Sequence, residues 1–427
     1  MSGDAFFLDS FGAPSVPAGT ITVQETKAPL GYVINNEVHT VHFTLREDGT
    51  VRSDSGTWNT ANGLEDLSLV SEETAVCGGV RIRKTDSVTG SSQSSIGTSL
   101  AGAEITVYNN CGKTITLKDG TRVADGAAVL TVRTAQDGTA QTAADALPYG
   151  KYYAKETASP AGYAVNTSWR ADFSIKEQGT VTDASPVLSE RPFAGALTVT
   201  KTDAEAGPAQ GDASLSGIRF AVVNVSAKAL RIGKAAVESG AVAAIISTDE
   251  NGRASTAAGA LPYGSYKVYE LRSDASISVG DIYSGSDKLG SSALANSRGY
   301  RFREQSRSFS VDTDGQTVSA AFSDEVVKGI PEIIKTGEGG APAQGNASLA
   351  GIRFALVNSS AGAVKIGGNA YQKGTVVAVL TTGQDGKAKG EPLPYGTYTV
   401  YELREDASIL NSHWMKLMSM PRITVRG

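Results

Sequence analysis

Three kinds of ionisable residue recur at matching places in this sequence, and each falls on the apolar side of an alternating segment. In LTVTK, Leu197, Val199 and Lys201 share one face, with Thr198 and Thr200 on the other. VRIRK repeats this with Val80, Ile82 and Lys84, and EIIK with Ile333 and Lys335. Glutamates follow the same parity: Tyr266, Val268 and Glu270; Tyr152, Ala154 and Glu156; Tyr398, Val400 and Glu402; Ile21, Val23 and Glu25. A further acid closes one set, where Val318, Ala320, Phe322 and Asp324 share a face. Lysines and acids are therefore aimed at a core.

A buried charge is costly unless compensated. One compensation is an ion pair among Lys, Glu and Asp. The other is covalent. Burial disfavours the charged form of an amine and of a carboxyl alike, so a lysine can be held neutral and a glutamate protonated. A neutral amine beside an Asp carboxyl can attack its carbonyl carbon while the Glu carboxyl polarises that carbonyl and moves protons. Rigid strands would hold the pair near attack geometry. The product is an intramolecular amide, formed once, without turnover, so no enzyme activity is expected.

The elements that must position these groups repeat. A strand ending in Lys-Thr (VRIRKTD 80–86, LTVTKTD 197–203, EIIKTGE 332–338) leads into a small-residue turn and a second strand (SLAGAEITVYN 99–109, SLSGIRFAVVN 214–224, SLAGIRFALVN 348–358). A DG-type turn then precedes LPYGKYYAKET, LPYGSYKVYEL or LPYGTYTVYEL. Lys201 to Leu215 and Lys335 to Leu349 are both 14 residues, and Tyr263 to Glu270 and Tyr395 to Glu402 are both 7. A fourth copy shows only its second half, AGTITVQETKAPLGY (18–32). Hairpin signals follow at LREDGTV, IKEQGTV and VDTDGQTV. Period-2 alternation with turns every 8–12 residues predicts an all-β chain of sandwiches or barrels.

Composition agrees. The 427 residues include 48 Gly and only 14 Pro, which suits many tight turns. A net charge of −5 with no basic run argues against nucleic acid as a partner. Three histidines and two cysteines leave little for metal chemistry and exclude a disulfide scaffold. His39 and His42 have opposite parity and cannot converge on one metal, and DTDG (312–315) lacks the twelfth-position glutamate of a calcium loop, so a hairpin turn is expected there. No cofactor is expected. Cys77 and Cys111 flank the opening strands of one unit, where a disulfide or two free thiols are both open. No apolar run is long enough for a membrane span, and residues 1–15 do not read as a secretion signal.

ETKAPLGY (25–32) and ETASPAGY (156–163), with the upstream Lys-Thr-Asp strands, resemble Cna B-type domains, also called SpaA-type prealbumin-like pilin domains. The resemblance implies tandem prealbumin-like (Ig-like) β-sandwiches over 1–78 (a C-terminal half), 79–193, 194–328 (with an insertion near 278–299) and 329–427. Both terminal units read as incomplete. It further implies a stalk, pilin or adhesin on a Gram-positive cell wall, extracellular, with Lys–Asn or Lys–Asp isopeptide bonds.

Carried over residue by residue, the best set is Lys201 as nucleophile, Glu270 as acid and Asp324 as partner. Lys84 and Glu156 are matched with Glu190, whose extra methylene shifts its carbonyl by more than ~1 Å and works against attack. The first unit offers Glu25 and Glu72 without a lysine, and the last has Lys335 and Glu402 without a partner. YELRSDAS (269–276) lacks the Pro-x-Gly-Tyr ending of the motif. Two alternatives accompany the stalk reading: an adhesin that binds a host protein or glycan through the insertion, and an accessory β-module of a secreted enzyme.

Overall fold

The computed structural model describes residues 19–59, 64–66, 68, 70–273, 275–284, 298–403 and 422–425. The architecture is all-β, a series of sandwiches whose strands are short and joined by glycine turns. The tail LNSHWMKLMSMP lies outside the described residues.

The third unit shows the plan. One sheet has the order Val242–Ser247, Arg219–Asn224, Gly264–Glu270, Ser306–Val311, all antiparallel. The facing sheet is built on the lysine strand Ala194–Asp203, which pairs antiparallel with Arg253–Ser255 and Leu261–Pro262. Its other edge pairs in parallel with the closing strand Thr317–Asp324, from Ala196↔Thr317 to Asp203↔Asp324. The lysine strand therefore belongs to one sheet and the glutamate strand, Gly264–Glu270, to the other. Alternation does the rest: along 264–270 every second side chain from Tyr266 is buried.

The second unit repeats the plan. Glu104–Asn109 lies between Ala128–Arg133 and Gly150–Ala158 in one sheet. In the other, the lysine strand Cys77–Asp86 carries Val181–Asp183 and Leu188–Pro192 in parallel. In the last unit, Arg353–Asn358 pairs with Val376–Thr381 and Gly396–Glu402. Glu332–Ile334 pairs only with Lys387–Lys389 among the described residues. The first unit contributes Gly19–Gln24, Val38–Leu45 and Val51–Ser53. The DTDG segment is a turn, with Gly315 at φ +73°, but not the expected hairpin: Ser306–Val311 and Thr317–Asp324 belong to different sheets, so the turn carries the chain from one sheet of the sandwich to the other.

Apolar side chains between the sheets form a cluster in each of the second, third and last units. Val80, Ile82, Val107 and Tyr152 belong to the second; Leu197, Val199, Phe220 and Val268 to the third; Phe354, Leu356 and Val400 to the last. The third unit has a second cluster outside the sandwich. Ala221, Val223 and Val242 point away from the main core and are covered by Leu271, Ala275 and Ile277. The start of the insertion is thus laid over the sheet, held by Val242 N–H on Asp281 O (2.8 Å) and Tyr283 N–H on Gly240 O (2.8 Å).

Phe220 is fully buried and its ring lies 4.9 Å from that of Phe322, bridging the two sheets. Phe220→Ala should destabilise the third unit by about 3–5 kcal/mol. Urea unfolding of the full chain should show that loss in one transition, with that of the second unit unmoved.

Candidate functional site

Lys201 and Glu270 meet because their strands face each other across the sandwich. Asp324 joins them because the closing strand runs beside the lysine strand in parallel register, with Asp324 opposite Asp203. Lys201 Nζ donates to Glu270 Oε2 at 2.8 Å and lies 2.8 Å from Asp324 Oδ2, all three side chains being fully buried. The approach to Asp324 is short but outside hydrogen-bond alignment. Among the described residues Asp324 Oδ2 and Glu270 Oε1 have no hydrogen-bond partner, whereas Asp324 Oδ1 accepts from Gln305 Nε2 at 2.9 Å.

Burial pushes the Glu270 carboxyl up to about 8, and the neighbouring Asp324 charge acts in the same sense while Lys201 opposes it. Burial thus favours the protonated form of Glu270, in which it can donate to a carbonyl oxygen.

The second unit forms the same constellation. Lys84 Nζ donates to Glu156 Oε1 at 2.5 Å and lies 2.9 Å from Glu190 Oε1, with all three side chains fully buried. Glu190 sits opposite Asp86 in the register that puts Asp324 opposite Asp203. With its extra methylene Glu190 still comes within ion-pair distance of the amine, so the three groups form a buried ion triad. Burial, with the Glu156 charge adding to it, pushes the Glu190 carboxyl up to about 7 against the pull of Lys84.

In the terminal units the described residues bring fewer of these groups together. In the first, Glu72 is exposed, and the acid facing Glu25 is Glu73, raised by burial and by the Glu25 charge. The assignment to Glu72 is corrected by strand parity. Glu73 stands three residues before Val76, as Glu190 stands before Phe193 and Asp324 before Val327. In the last unit Lys335 Nζ donates to Glu402 Oε2 at 2.8 Å, and both side chains are about a third exposed (30% and 32%). No third carboxyl joins them among the described residues.

Sequence reasoning missed a partner of the glutamates. Glu25 Oε2 accepts from Asn35 N–H, and Glu156 Oε2 from Asn166 N–H, both at 2.6 Å. The signal was available as G-Y-x-x-N in GYVIN (31–35) and GYAVN (162–166). The third unit also has its Gly-Tyr, displaced by the insertion to Gly299–Tyr300. Tyr300 pairs with Val326 as Tyr163 pairs with Pro192 and Tyr32 with Ala75. Arg303 then stands where the Asn would be. The motif of the third unit is thus interrupted, not lost.

Cys77 and Cys111 are free thiols, and Cys111 Sγ donates to Lys151 O at 3.3 Å. His39 and His42 are ordinary strand residues, His42 Nδ1 lying 2.9 Å from Thr20 Oγ1.

Residues 78–185 and 334–413 match the family model of the SpaA prealbumin-like fold domain. Those segments are SpaA-type prealbumin-like domains. Solved structures similar to the chain include the Bacillus anthracis TIE protein, at 21% identity over 86% of this chain and 54% of that one, with a TM-score of 0.47. The chain thus spans about half the length of that structure. BcpA, the major pilin subunit of Bacillus cereus, matches at 14% identity over 81% of this chain and 93% of its own, with a TM-score of 0.26. The C-terminal fragment of the pilus adhesin SpaC from Lactobacillus rhamnosus GG matches at 13% over 58% and 98%, with a TM-score of 0.28. Comparison with curated proteins gave no match. Among the described residues no helix is long and apolar enough to cross a membrane.

The raised Glu270 value sets a pH dependence for the third unit. Its folded value of about 8 lies above the ordinary 4.5, so between them the folded chain holds the proton more tightly. The group's stabilising contribution is full below about pH 4.5 and is lost as pH rises through about 8. In a Lys201→Met background, which removes any amide, Lys201 no longer opposes the rise. The urea midpoint of this unit should then fall across that window, and Glu270→Gln should flatten the fall.

Proposed function

We propose that the chain is part of an extracellular stalk on a Gram-positive cell wall, built from four SpaA-type units with boundaries near 78, 194 and 329. The third unit would be locked by an amide between Lys201 and Asp324. The observation that carries this is the placement of Lys201 Nζ at 2.8 Å from both an acid and an unaligned carboxylate oxygen, with solvent excluded.

The step balances within the triad. With the proton shared so that the amine is neutral and Asp324 is an acid, Nζ attacks Cγ of Asp324. A C–N bond forms, the C–O bond to the hydroxyl breaks, and that hydroxyl leaves with an amine proton as water. Glu270, held protonated by burial, hydrogen-bonds the carbonyl oxygen as charge develops there and keeps its proton at the end. The third unit performs this once, so the chemistry is maturation and not turnover. The bond would join first and last strands and so slow unfolding under force.

Intact mass tests the proposal. The amide removes one water, so the full chain should weigh about 18 Da less than its sequence, and peptide mapping should place the cross-link between Lys201 and Asp324. Asp324→Ala and Glu270→Ala chains should show no such cross-link. A wild-type third unit at its bare sequence mass would leave only a buried ion triad.

A further inference from the structure

The contacts between successive units are the same three times over. Each of the first three units carries a Gly-Tyr turn beside its closing segment, and each following unit is reached through a single connecting residue and carries a Pro-Tyr-Gly turn. The N–H of the connecting residue donates back to the turn glycine: Val76 to Gly31 O (2.8 Å), Phe193 to Gly162 O (2.7 Å), Val327 to Gly299 O (2.8 Å). Its own C=O accepts from the next unit's turn tyrosine: Tyr149 N–H on Val76 O (2.7 Å), Tyr263 on Phe193 O (2.9 Å), Tyr395 on Val327 O (2.7 Å).

The tyrosine rings complete the seat. Tyr149 lies against Gly31, Tyr263 against Gly162 and Tyr395 against Gly299. A Cβ on those glycines would stand 2.9, 2.9 and 2.7 Å from ring carbons. All three glycines have positive φ, +89°, +85° and +84°, so the turn and the flat seat both require the missing side chain. The third of these seats is formed by a glycine that the insertion moves far along the sequence, yet the same contacts recur.

Secondary tethers differ in chemistry and agree in place. Between the second and third units Arg191 forms a bidentate pair with Asp314, at 2.9 and 2.6 Å, and Ile96 and Tyr163 join the apolar cluster of the third unit. Between the third and last, Asp212 accepts from Thr397 Oγ1 at 2.7 Å, and Gln210 Oε1 from Lys365 N–H at 2.9 Å.

We propose that this glycine–connector–tyrosine relay is an interlocking surface whose partner is the next unit of the same chain, fixing each unit in one rotational setting about its predecessor. A connector whose two backbone groups are both committed, one to each neighbour, cannot swivel without breaking a hydrogen bond, and the ring seated on glycine blocks sideways displacement. The stalk is then indexed and stiff at its joints, independently of any amide inside a unit.

Pulsed electron–electron spin distances in the full chain test this. Spin labels at Lys155→Cys and Ser310→Cys, with Cys77→Ser and Cys111→Ser, report across the joint between the second and third units. The parent should give one narrow distance distribution. Tyr263→Ala, which leaves the turn backbone in place, should at least double its width, and Tyr263→Phe should keep it narrow. Gly162→Val should broaden it as well. The cross-link at Lys201 should be unchanged in all of them, so a failed amide and a failed joint are read separately. A broad parent distribution, or a Tyr263→Ala distribution as narrow as the parent's with both units still folded, would overturn the proposal.

Discussion

A lysine side chain enclosed by two carboxyls between apolar sheets is the constraint around which the second and third units are organised. Its polar head cannot be left without partners in that interior, and its two acids come from opposite directions: Glu270 from the facing sheet, Asp324 from the neighbouring strand. Satisfying both fixes the separation of the sheets and the register of the closing strand together. A slip of one residue would turn Asp324 to the surface and put Ser323 or Glu325 in its place. The same demand explains why Lys84, Glu156 and Glu190 recover nearly the same distances with a longer acid. At Lys335 and Glu402, where no third carboxyl stands among the described residues, the pair is partly open to solvent.

Much of this was legible in the sequence, because strand parity is a two-state signal. Lys84, Lys201, Glu156 and Glu270 fall among buried neighbours in the alternation, and the repeats locate the strands that carry them. The harder part was phasing across the gaps. Glu72 and Glu73 are adjacent, and similarity of the surrounding letters chose the wrong one; counting back from the connecting residue chooses the right one. The Gly-Tyr of the third unit was hidden by distance along the chain, since the insertion separates it from Glu270 by almost thirty positions while leaving its spatial place unchanged. Asn166 acts through its backbone N–H and Gln305 through its side-chain amide; the first is marked in the sequence by the G-Y-x-x-N spacing, whereas the second has no counterpart in the other units to draw attention to it.

The strands of the third unit also carried a signal about the insertion. FAVVN and AVAAII are apolar at consecutive positions, where the second unit's EITVYN and AVLTVR alternate with polar residues. A strand that is apolar on both faces needs cover on both. Here the second cover is the segment from Leu271 to Ile277. The last unit has the same apolar pattern in FALVN, with Ala355 and Val357 buried.

The parallel pairing of the lysine strand with the closing strand decides how a pull on the chain is shared. The chain comes in at residue 194 and goes out beyond Asp324 from the opposite end of the same strand pair. Tension therefore shears the eight-residue ladder lengthwise, loading its hydrogen bonds simultaneously instead of peeling them one at a time. With Lys201 joined to Asp324, the load path shortens to residues 194–201, the side-chain link and the few residues after 324. Everything between, including the insertion, becomes mechanical slack that the pull never reaches. Such a unit can carry loops of any length on its flank without becoming more extensible.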